Sequence, residues 1–513
     1  MLSKSVGLAG DVRRRMAVGL RHELLLGTVL ERLAAAHGGR TLAEEAGPRG
    51  RRLTYRQAAA QVDAWAGAVA AASAPGERVV VALPNGYDFL LACLGASRAG
   101  RIAVPVNERM RPDEVDHVVG DSGARLVLES AGTADGAEPF GRAAAADPND
   151  VAALFYTSGT TGRPKGARLT HRGLLAQLGS AALWPSGLRR DEAVVALPVA
   201  HIMGFVSLLG LAAAGVPVYA LGSFRAEAVL DAIEARRATM FIGVPAMYRM
   251  LLEAGAADRD LSSVRLWASG ADVMPPELAR RFKDFGATAT VLGRPVGQAA
   301  FVEGYGMVEL AGSAAVRFSP PGFDLPFVGA LGVPLPGHDF KVVDDEGREV
   351  GPGVVGELLV RGPGVLEGYH SDEAATSGAV TDDGFLRTGD LARRGPFGTV
   401  GFAGRSKDVI KVGGYSVFAV EVERALEQHP DVLEAAVVGL PDDRLGEVPA
   451  AAVRLRSGAS SDPERLVAWA HEEMASYRAP RRIVIVDELP RTGTTKVQKA
   501  GLLPLFEAPE AGR

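Results

Sequence analysis

Cysteine is almost absent from this sequence. Cys93 is the single cysteine among 513 residues, so no internal disulfide can form, which indicates a reducing compartment. Because Cys93 lies in the apolar stretch FLLACLGASRAG, we expect a small buried side chain and not a catalytic thiol. The cysteine content therefore predicts a cytoplasmic protein.

An excess of positive charge is also missing. The formal net charge is -5, so the chain has no basic excess to neutralise a phosphate backbone, and we expect no nucleic-acid partner. Hydrophobic residues make up 47% and charged residues 23%, which is typical of a globular protein. A length of 513 residues exceeds the usual size of one hydrophobic core and predicts several domains.

A membrane-spanning helix is not indicated. The uncharged stretch Ile202–Phe224 is long enough to span a bilayer, but Gly215 and Pro217 predict a helix, a turn and a buried strand instead. Three successive arginines at 13–15 interrupt any apolar run, which argues against a signal peptide. Residues 13–27 could form a basic amphipathic helix in peripheral contact with a membrane, or an ordinary surface helix. We expect a soluble protein.

Short β-branched runs alternate with helical patterns through the first 300 residues. Strands are predicted at 78–83, 102–106 and 124–128, and helices at 87–98 and 112–121. This alternation predicts an α/β fold in which helices flank β-sheets on both faces.

The composition changes after about residue 327. Glycine and proline become dense, which predicts a β-rich subdomain at about 327–404. Further on, a helix at 420–428, a strand at 432–440 and a helix at 463–474 are expected. We therefore predict a large N-terminal domain, residues 1–404, and a small mobile C-terminal α+β domain, residues 405–513.

The strongest functional signal is a loop rich in glycine and hydroxyl groups, directly after the apolar strand predicted at 151–156. Glycines let successive backbone N–H groups face one anion, hydroxyls add donors, and a lysine adds a mobile positive charge. The spacing of a Walker A loop is absent. The predicted phosphate-binding residues are Thr157, Ser158, Gly159, Thr160, Thr161, Gly162 and Lys165.

The loop and its surroundings, LFYTSGTTGRPKGARLTH, resemble the signature of the adenylate-forming superfamily, which includes acyl-CoA synthetases, luciferases and peptide-synthetase adenylation domains. The similarity reappears in the family's order at GYGMVE, TGDLAR, GRSKDVIKVGGYSV and PRTGTTKVQK, at 304–309, 388–393, 404–417 and 490–499. It extends from about Val29 to Phe506. The resemblance implies an ATP-dependent ligase that converts a carboxylate into an acyl-adenylate and then into a thioester.

The resemblance also implies roles for single residues around ATP. Glu309 is expected to hold Mg²⁺, and Tyr305, within Gly304–Gly306, to stack on adenine. Asp390, placed between two short strands, is expected to accept the ribose hydroxyls, although an Asx-turn is an alternative. Arg405 is expected near the ribose and phosphates.

A second set of roles concerns the C-terminal domain. Lys407 matches the family's hinge, and Lys496 matches the lysine that bridges the attacking carboxylate and the α-phosphate. After adenylation the domain is expected to rotate and withdraw Lys496. Gly413 and Gly414 would then leave room for the pantetheine arm of coenzyme A.

Two positions depart from the family pattern. Val308 stands where most relatives have threonine, which removes a hydroxyl from the phosphate or metal site. Thr495 stands where most relatives have glycine, and its branched side chain restricts the backbone beside Lys496.

The acid-binding pocket is expected to be small and apolar. His201 corresponds to the mouth of the pocket, with a buried core histidine as the alternative. Gly304 replaces the arginine of malonate-specific relatives, which argues against a dicarboxylate, and the stretch 200–208 has no acidic residue to bind an amino group. The other predicted lining residues are Phe205, Ser269, Gly270, Ala271, Met307 and Val308.

The leading prediction is an ATP- and Mg²⁺-dependent ligase that joins a fatty acid to coenzyme A. An aryl-CoA ligase and a catalytically weakened acyl- or nucleotide-binding protein remain alternatives. No carrier-protein serine motif follows Lys499, which favours free coenzyme A over a carrier protein. The segment 289–301 looks longer than in many relatives and is expected either to reshape the pocket or to enlarge a surface loop.

Overall fold

The computed structural model describes residues 23–47, 50–157, 163–184, 190–323, 330–491 and 497–507. The chain forms two compact units. Unit 1 contains Met1–Pro326, Gly332–Asp339 and Val360–Leu386, and unit 2 contains Phe327–Leu331, Phe340–Leu359 and Arg387–Arg513. The predicted β-rich subdomain is thus divided between the units, and the single division at residue 404 and the hinge remain predictions.

The α-helices of unit 1 are, in chain order, α1 Val29–His37, α2 Tyr55–Ala72, α3 Tyr87–Arg98, α4 Pro112–Ser122, α5 His171–Leu175, α6 Leu178–Ala182, α7 Ile202–Ala214, α8 Ala226–Arg236, α9 Pro245–Glu253, α10 Pro276–Phe285 and α11 Glu373–Ala379. Local chemistry sets several of their ends. A capping box between Thr54 and Gln57 begins α2, and Gly215, with φ of 71°, ends α7 in the left-handed conformation. Short 3₁₀ helices occupy Leu26–Thr28, Ala131–Ala134, Ala256–Asp258 and Val308–Leu310.

The strands that lie wholly or mostly in unit 1 form two larger sheets and a separate hairpin. They are β1 Thr41–Glu45, β2 Arg52–Thr54, β3 Arg78–Val81, β4 Ile102–Pro105, β5 Leu126–Leu128, β6 Val151–Thr157, β7 Lys165–Thr170, β8 Ala193–Val195, β9 Val218–Ala220, β10 Met240–Gly243, β11 Leu266–Gly270, β12 Ala289–Val291, β13 Arg294–Val296, β14 Ala300–Met307, β15 Gly312–Ser319 and β16 Ala330–Pro334.

Strand order gives both larger sheets a parallel centre. The first runs β16-β15-β14-β11-β10-β8-β9-β1-β2, and its strands from β14 to β1 are parallel. In the second, order β19-β7-β6-β4-β3-β5, strands β6, β4, β3 and β5 are parallel; β19 is Gly368–Tyr369. Buried strands with helical crossovers confirm the predicted α/β fold.

The elements that lie wholly or mostly in unit 2 occur after residue 338. They are β17 Asp339–Val343, β18 Val355–Arg361, β20 Leu386–Arg394, β21 Val400–Arg405, β22 Val409–Val412, β23 Tyr415–Phe418, α12 Ala419–Leu426, β24 Val432–Asp442, β25 Gly446–Leu455, α13 Pro463–Glu473, β26 Arg482–Ile485 and α14 Leu503–Glu507, with 3₁₀ helices at Pro396–Gly398, Ser406–Asp408 and Lys499–Leu502. Strands β17, β18, β20 and β21 lie in that order, and β23, β22, β25 and β24 form a sheet in which β26 also pairs with β25.

Apolar burial explains where the cores lie. In unit 1 an aromatic cluster packs between the first sheet and its helices, mostly edge to face. It consists of Phe241, Tyr248, Trp267, Phe282 and Phe301. In unit 2, helices α12 and α13 pack on the sheet formed by β22 to β25, and their buried apolar side chains form a separate core.

Two predictions about buried segments are confirmed. Cys93 is fully buried, and burial raises the pKa of its thiol, so it is not a reactive thiolate. The uncharged stretch that begins at Ile202 forms α7, the Gly215 turn and β9. Within the described ranges, no helix is long and apolar enough to cross a membrane. Most of residues 13–27 lie outside those ranges.

Candidate functional site

The carboxyl ends of the parallel strands in unit 1 carry most of the predicted site residues. Strands β11 and β14 run side by side and place Gly270 opposite Gly304. His201 follows β8, and Thr157 is the last residue of β6. Because parallel strands expose free backbone and loop groups at this edge, α/β proteins bind ligands there.

The predicted phosphate loop connects β6 and β7. Thr157 and Lys165 face each other across these strands, so the base of the loop is fixed by an antiparallel pair. Ser158, Gly159, Thr160, Thr161 and Gly162 lie outside the described residues, and their phosphate contacts remain a prediction.

Helix α4 supports the base of this loop. The Tyr156 hydroxyl donates a 2.6 Å hydrogen bond to Asp121, and burial, followed by that bond, raises the pKa of Tyr156. His117 places its Nε2 atom 2.9 Å from the carbonyl oxygen of Pro164. Sequence reasoning missed this support because a tyrosine after an apolar strand and two polar residues on a helix carry no motif.

Lys165 already has a carboxylate partner. Its Nζ lies 2.9 Å from Asp372 Oδ2 and 5.7 Å from the ring centroid of Tyr369. The hydrogen bond from Lys165 is the main cause that lowers the pKa of Asp372. The side chain of Lys165 is 48% exposed, so it can reach a ligand in solvent.

Glu309 lies in the 3₁₀ helix Val308–Leu310, which directly follows β14, and residues 304–307 belong to the strand itself. Tyr369 donates a hydrogen bond of 3.0 Å to Glu309 Oε1. No cluster of three or more metal-binding side chains occurs among the described residues. A single carboxylate fits Mg²⁺ that is held mainly by substrate phosphates.

Gly304 lies between Gly270 of β11 and Val316 of β15. A Cβ there would lie 2.9 Å from Ser313 Oγ, and a Cβ on Gly270 would lie 3.4 Å from the end of Met203. Ala271 takes a positive φ of 67°, which turns the chain away from β11 at the sheet edge. The predicted small lining residues Gly270, Ala271 and Gly304 are therefore neighbours.

His201 and Phe205 have structural roles that the sequence did not assign. His201 caps α7, because its Nδ1 accepts a 3.3 Å hydrogen bond from the N–H of Met203. Phe205 is fully buried and contacts Phe155 edge to face, with ring centroids 5.4 Å apart. Their parts in an acid pocket stay predictions.

In unit 2, Asp390 and Arg405 form a cross-strand pair. Asp390 lies inside the nine-residue strand β20, not between two short strands as the sequence suggested. It is 3% exposed, and Arg405 Nε lies 3.2 Å from its Oδ1. The N–H of Asp390 donates a 3.1 Å hydrogen bond to the Thr388 hydroxyl, which forms a local turn that begins at Thr388.

The remaining candidates of unit 2 lie beyond β21. Lys407 is exposed in the 3₁₀ helix Ser406–Asp408, and partial desolvation lowers its pKa. Gly413 and Gly414 form the two-residue turn of the β22–β23 hairpin, with φ of 54° and 88°. Such a turn requires positive φ at both positions. Glycine adopts positive φ at little cost, so the hairpin by itself explains why both residues are glycines. Lys496 and Thr495 lie outside the described residues.

Comparisons with known proteins agree with this geometry. The AMP-binding enzyme family matches residues 30–370, and the C-terminal domain of AMP-binding enzymes matches residues 421–496. The chain belongs to the AMP-binding enzyme family. It is thus an adenylate-forming enzyme of the acyl- and aryl-CoA ligase type, and the resemblance read from the sequence is confirmed.

Similar proteins in this family act on different acids. The chain is 34% identical to feruloyl-CoA synthase of Amycolatopsis over 473 residues, covering 88% of this chain and 93% of that protein. It is also 34% identical to long-chain-fatty-acid–CoA ligase of Bacillus subtilis over 363 residues, covering 70% and 62%. The structure of anthranilate CoA ligase AuaEII with anthranoyl-AMP has a TM-score of 0.82 at 27% identity, covering 95% and 98%.

The segment 289–301, which looked longer than in many members of the AMP-binding enzyme family, begins with a surface hairpin. Among the strands that the structure describes, β12 and β13 pair only with each other, and Leu292 at the tip is 99% exposed. The segment was expected either to reshape the acid pocket or to enlarge a surface loop, and this exposed hairpin corresponds to the enlarged surface loop.

Proposed function

We propose that this protein is an AMP-forming ligase that joins a hydrophobic monocarboxylic acid to coenzyme A. The main support is the cluster in which Glu309, Tyr369 and Lys165 meet beside the base of the phosphate loop. An acid–base pair is not needed for adenylation, because the step depends on positioning and on stabilising charge around the triphosphate. A cation and a carboxylate that faces the phosphates are the groups such a step requires.

The proposed first step is attack of the substrate carboxylate on the α-phosphorus of ATP, which breaks the bond to pyrophosphate. Lys165 and the loop donors bind the triphosphate, and Lys496 bridges the carboxylate and the α-phosphate. Asp390 accepts hydrogen bonds from the ribose hydroxyls. When bound, Mg²⁺ supplies neutralisation of phosphate charge, and Glu309 is the residue that would hold it.

The proposed second step forms the thioester. The sulfur of coenzyme A attacks the carbonyl carbon of the acyl-adenylate, the thiol proton is released, and AMP leaves. The exposed Gly413-Gly414 turn is proposed to lie along the pantetheine arm, because it has no side chains to obstruct it.

The acid is proposed to be aromatic or aliphatic, with one carboxylate. Gly304 faces the Ser313 hydroxyl and offers no cation for a second carboxylate. We place an aryl acid first, because feruloyl-CoA synthase is similar over 93% of its own length, whereas the fatty-acid ligase is similar over 62%. A fatty acid is the second candidate.

The test measures pyrophosphate release and thioester mass for a panel of acids. We expect activity with ferulate, benzoate or octanoate, and none with malonate or phenylalanine. Lys496→Ala should lower pyrophosphate release by about 10²- to 10³-fold, yet still form thioester from added acyl-adenylate. If the protein binds nucleotide but releases no pyrophosphate from ATP with any acid of the panel, the result would support the catalytically weakened binding protein instead. Transfer to a carrier protein but not to coenzyme A would contradict the proposed acceptor.

A further inference from the structure

Tyr369 occupies a position between the two charged groups of the candidate site. It belongs to the short strand β19, in which it pairs with Ala167 of β7, two residues after Lys165. Its side chain contacts Glu309 at one end and lies below Lys165 with its ring face. Tyr369 was not predicted from the sequence, and the proposed reaction does not by itself require it.

The contact with Glu309 is a directed hydrogen bond. The Tyr369 hydroxyl donates to Glu309 Oε1 over 3.0 Å. Because a tyrosine hydroxyl carries a proton near neutral pH and a carboxylate can only accept, Tyr369 is the donor in this pair. A bond of this kind selects one orientation of a carboxylate that otherwise rotates freely.

The backbone on both sides of Tyr369 fixes the same two segments. The N–H of Leu366 donates to the carbonyl of Glu309 over 2.9 Å, and the N–H of His370 donates to the carbonyl of Gly166 over 2.7 Å. Residues 366–370 therefore connect the turn that carries Glu309 to the strand that carries Lys165. Backbone hydrogen bonds to both segments therefore fix Tyr369 between Glu309 and Lys165.

Asp372 holds Lys165 through a weak and reversible contact. One Asp372 oxygen accepts from the N–H of Ala375 and caps α11, so the carboxylate has a fixed position. The other oxygen pairs with Lys165. Both side chains are partly exposed, at 48% for Lys165 and 35% for Asp372, and exposed ion pairs are easily exchanged. A triphosphate carries more charge than one carboxylate and would replace it.

We propose that Tyr369 is a positioning residue that orients Glu309 and Lys165 together for ATP, and that Asp372 holds Lys165 until the triphosphate displaces it. The inference rests on the proposed function, because it takes ATP as the ligand of this site. It adds two residues of this chain that set how ATP and its metal ion are received.

The first test compares Tyr369→Phe with Tyr55→Phe by calorimetric titration of ATP into the full chain, with and without Mg²⁺. Tyr55 is a matched control, since its hydroxyl also makes one buried hydrogen bond, to the carbonyl of Ala212. With Mg²⁺, Tyr369→Phe should weaken ATP binding about three- to tenfold and raise the half-saturating Mg²⁺ concentration. Without Mg²⁺ the loss should be smaller.

The second test removes the counter-ion of Lys165. Asp372→Asn retains the helix cap, because asparagine caps helices as well as aspartate. ATP should bind about two- to fivefold more tightly, the range expected for loss of an exposed ion pair. In a Lys165→Met background, Asp372→Asn should change ATP binding much less, because the double-mutant cycle isolates the contact between the two residues.

The outcomes separate this inference from the proposed function. If the wild type binds ATP and Tyr369→Phe behaves like Tyr55→Phe at every Mg²⁺ concentration, the positioning role is wrong and the ligase proposal is unaffected. An equal effect of Asp372→Asn with and without Lys165 would overturn the role of Asp372. A wild type that binds no ATP would overturn the proposed function together with this inference.

Discussion

Asp390 and Arg405 lie opposite each other on neighbouring antiparallel strands, with Arg405 Nε 3.2 Å from Asp390 Oδ1. Asp390 is buried, while the side chain of Arg405 is 43% exposed. The guanidinium thus compensates a carboxylate that has little access to water. We propose that this compensated carboxylate accepts hydrogen bonds from the ribose hydroxyls.

Asp390→Asn should weaken ATP binding without unfolding the protein. Loss of hydrogen bonds to a charged acceptor costs about 1.5–3 kcal/mol, so we expect KM for ATP to rise about tenfold or more. The measurement is acid-dependent ATP–pyrophosphate exchange. Asp339→Asn is the control, because it removes an aspartate from an exposed pair with Arg361. Equal KM values for the two variants would argue against the ribose role.

Gly304→Ala and Gly306→Ala should behave differently. A Cβ at Gly304 would meet the Ser313 hydroxyl at 2.9 Å, and that side chain can rotate away. A Cβ on Gly306 would collide with the Gly312 backbone carbonyl, which cannot move alone. We expect Gly304→Ala to keep the thermal midpoint and lower activity with the bulkiest acids, and Gly306→Ala to lower the midpoint by several degrees. An unchanged acid profile in Gly304→Ala would remove Gly304 from the pocket.

His171 should make stability depend on pH. Burial lowers its pKa from 6.5 to about 4, and its Nδ1 accepts a 3.0 Å hydrogen bond from the N–H of Leu26, which requires a neutral ring. The unfolded chain therefore binds the extra proton between pH 6.5 and 4. Stability is retained above pH 6.5 and falls as the pH decreases through that range, by about 2 kcal/mol between pH 7.5 and 5.

The measurement is urea unfolding of wild type and His171→Gln at both pH values. His171→Gln lacks the titrating ring and should lose less stability on acidification. His338 and His370 also have pKa values lowered by burial, so some pH dependence should remain in the variant. Identical pH dependence in the two proteins would show that His171 does not titrate in this range.

Leu292→Asn should stabilise the surface hairpin. Leu292 and Gly293 form its two-residue turn with φ of 51° and 78°, and a left-handed conformation costs a leucine roughly 1–2 kcal/mol. Asparagine tolerates this conformation and is preferred in such turns. We expect a gain of about 1 kcal/mol in unfolding free energy. Val291→Asn is the control, since it removes exposed apolar surface without relieving the turn, and it should give no gain.

Several parts of the fold followed from local sequence alone. Helix Tyr87–Arg98 has the predicted bounds, and the strands near 78, 102 and 126 lie within a few residues of their predicted positions. The turn at Gly215 was readable because glycine adopts positive φ at little cost. Such features depend on neighbours in the chain, so hydrophobic periodicity and turn residues are sufficient to predict them.

Site residues that belong to contiguous sequence motifs were predicted. Residues that reach the site only through contacts between distant parts of the chain were missed. Glu309 was identified from its block, but its partner Tyr369 lies 60 residues away. The strand that holds Asp390 was also read as two short ones, because Gly389 is a turn signal in the sequence. Gly389 does take a positive φ of 68°, but pairing with strands on both sides keeps Leu386–Arg394 a single strand.

The sequence by itself determined the family, the α/β architecture and the chemical types available to bind phosphate, ribose and a carboxylic acid. Only the tertiary structure decided that Lys165 pairs with Asp372, that Tyr369 donates to Glu309, and that segment 289–301 begins with a surface hairpin. The physical reason is that motifs record which groups are present, whereas hydrogen bonds and ion pairs form between groups that chain folding brings within about 3 Å.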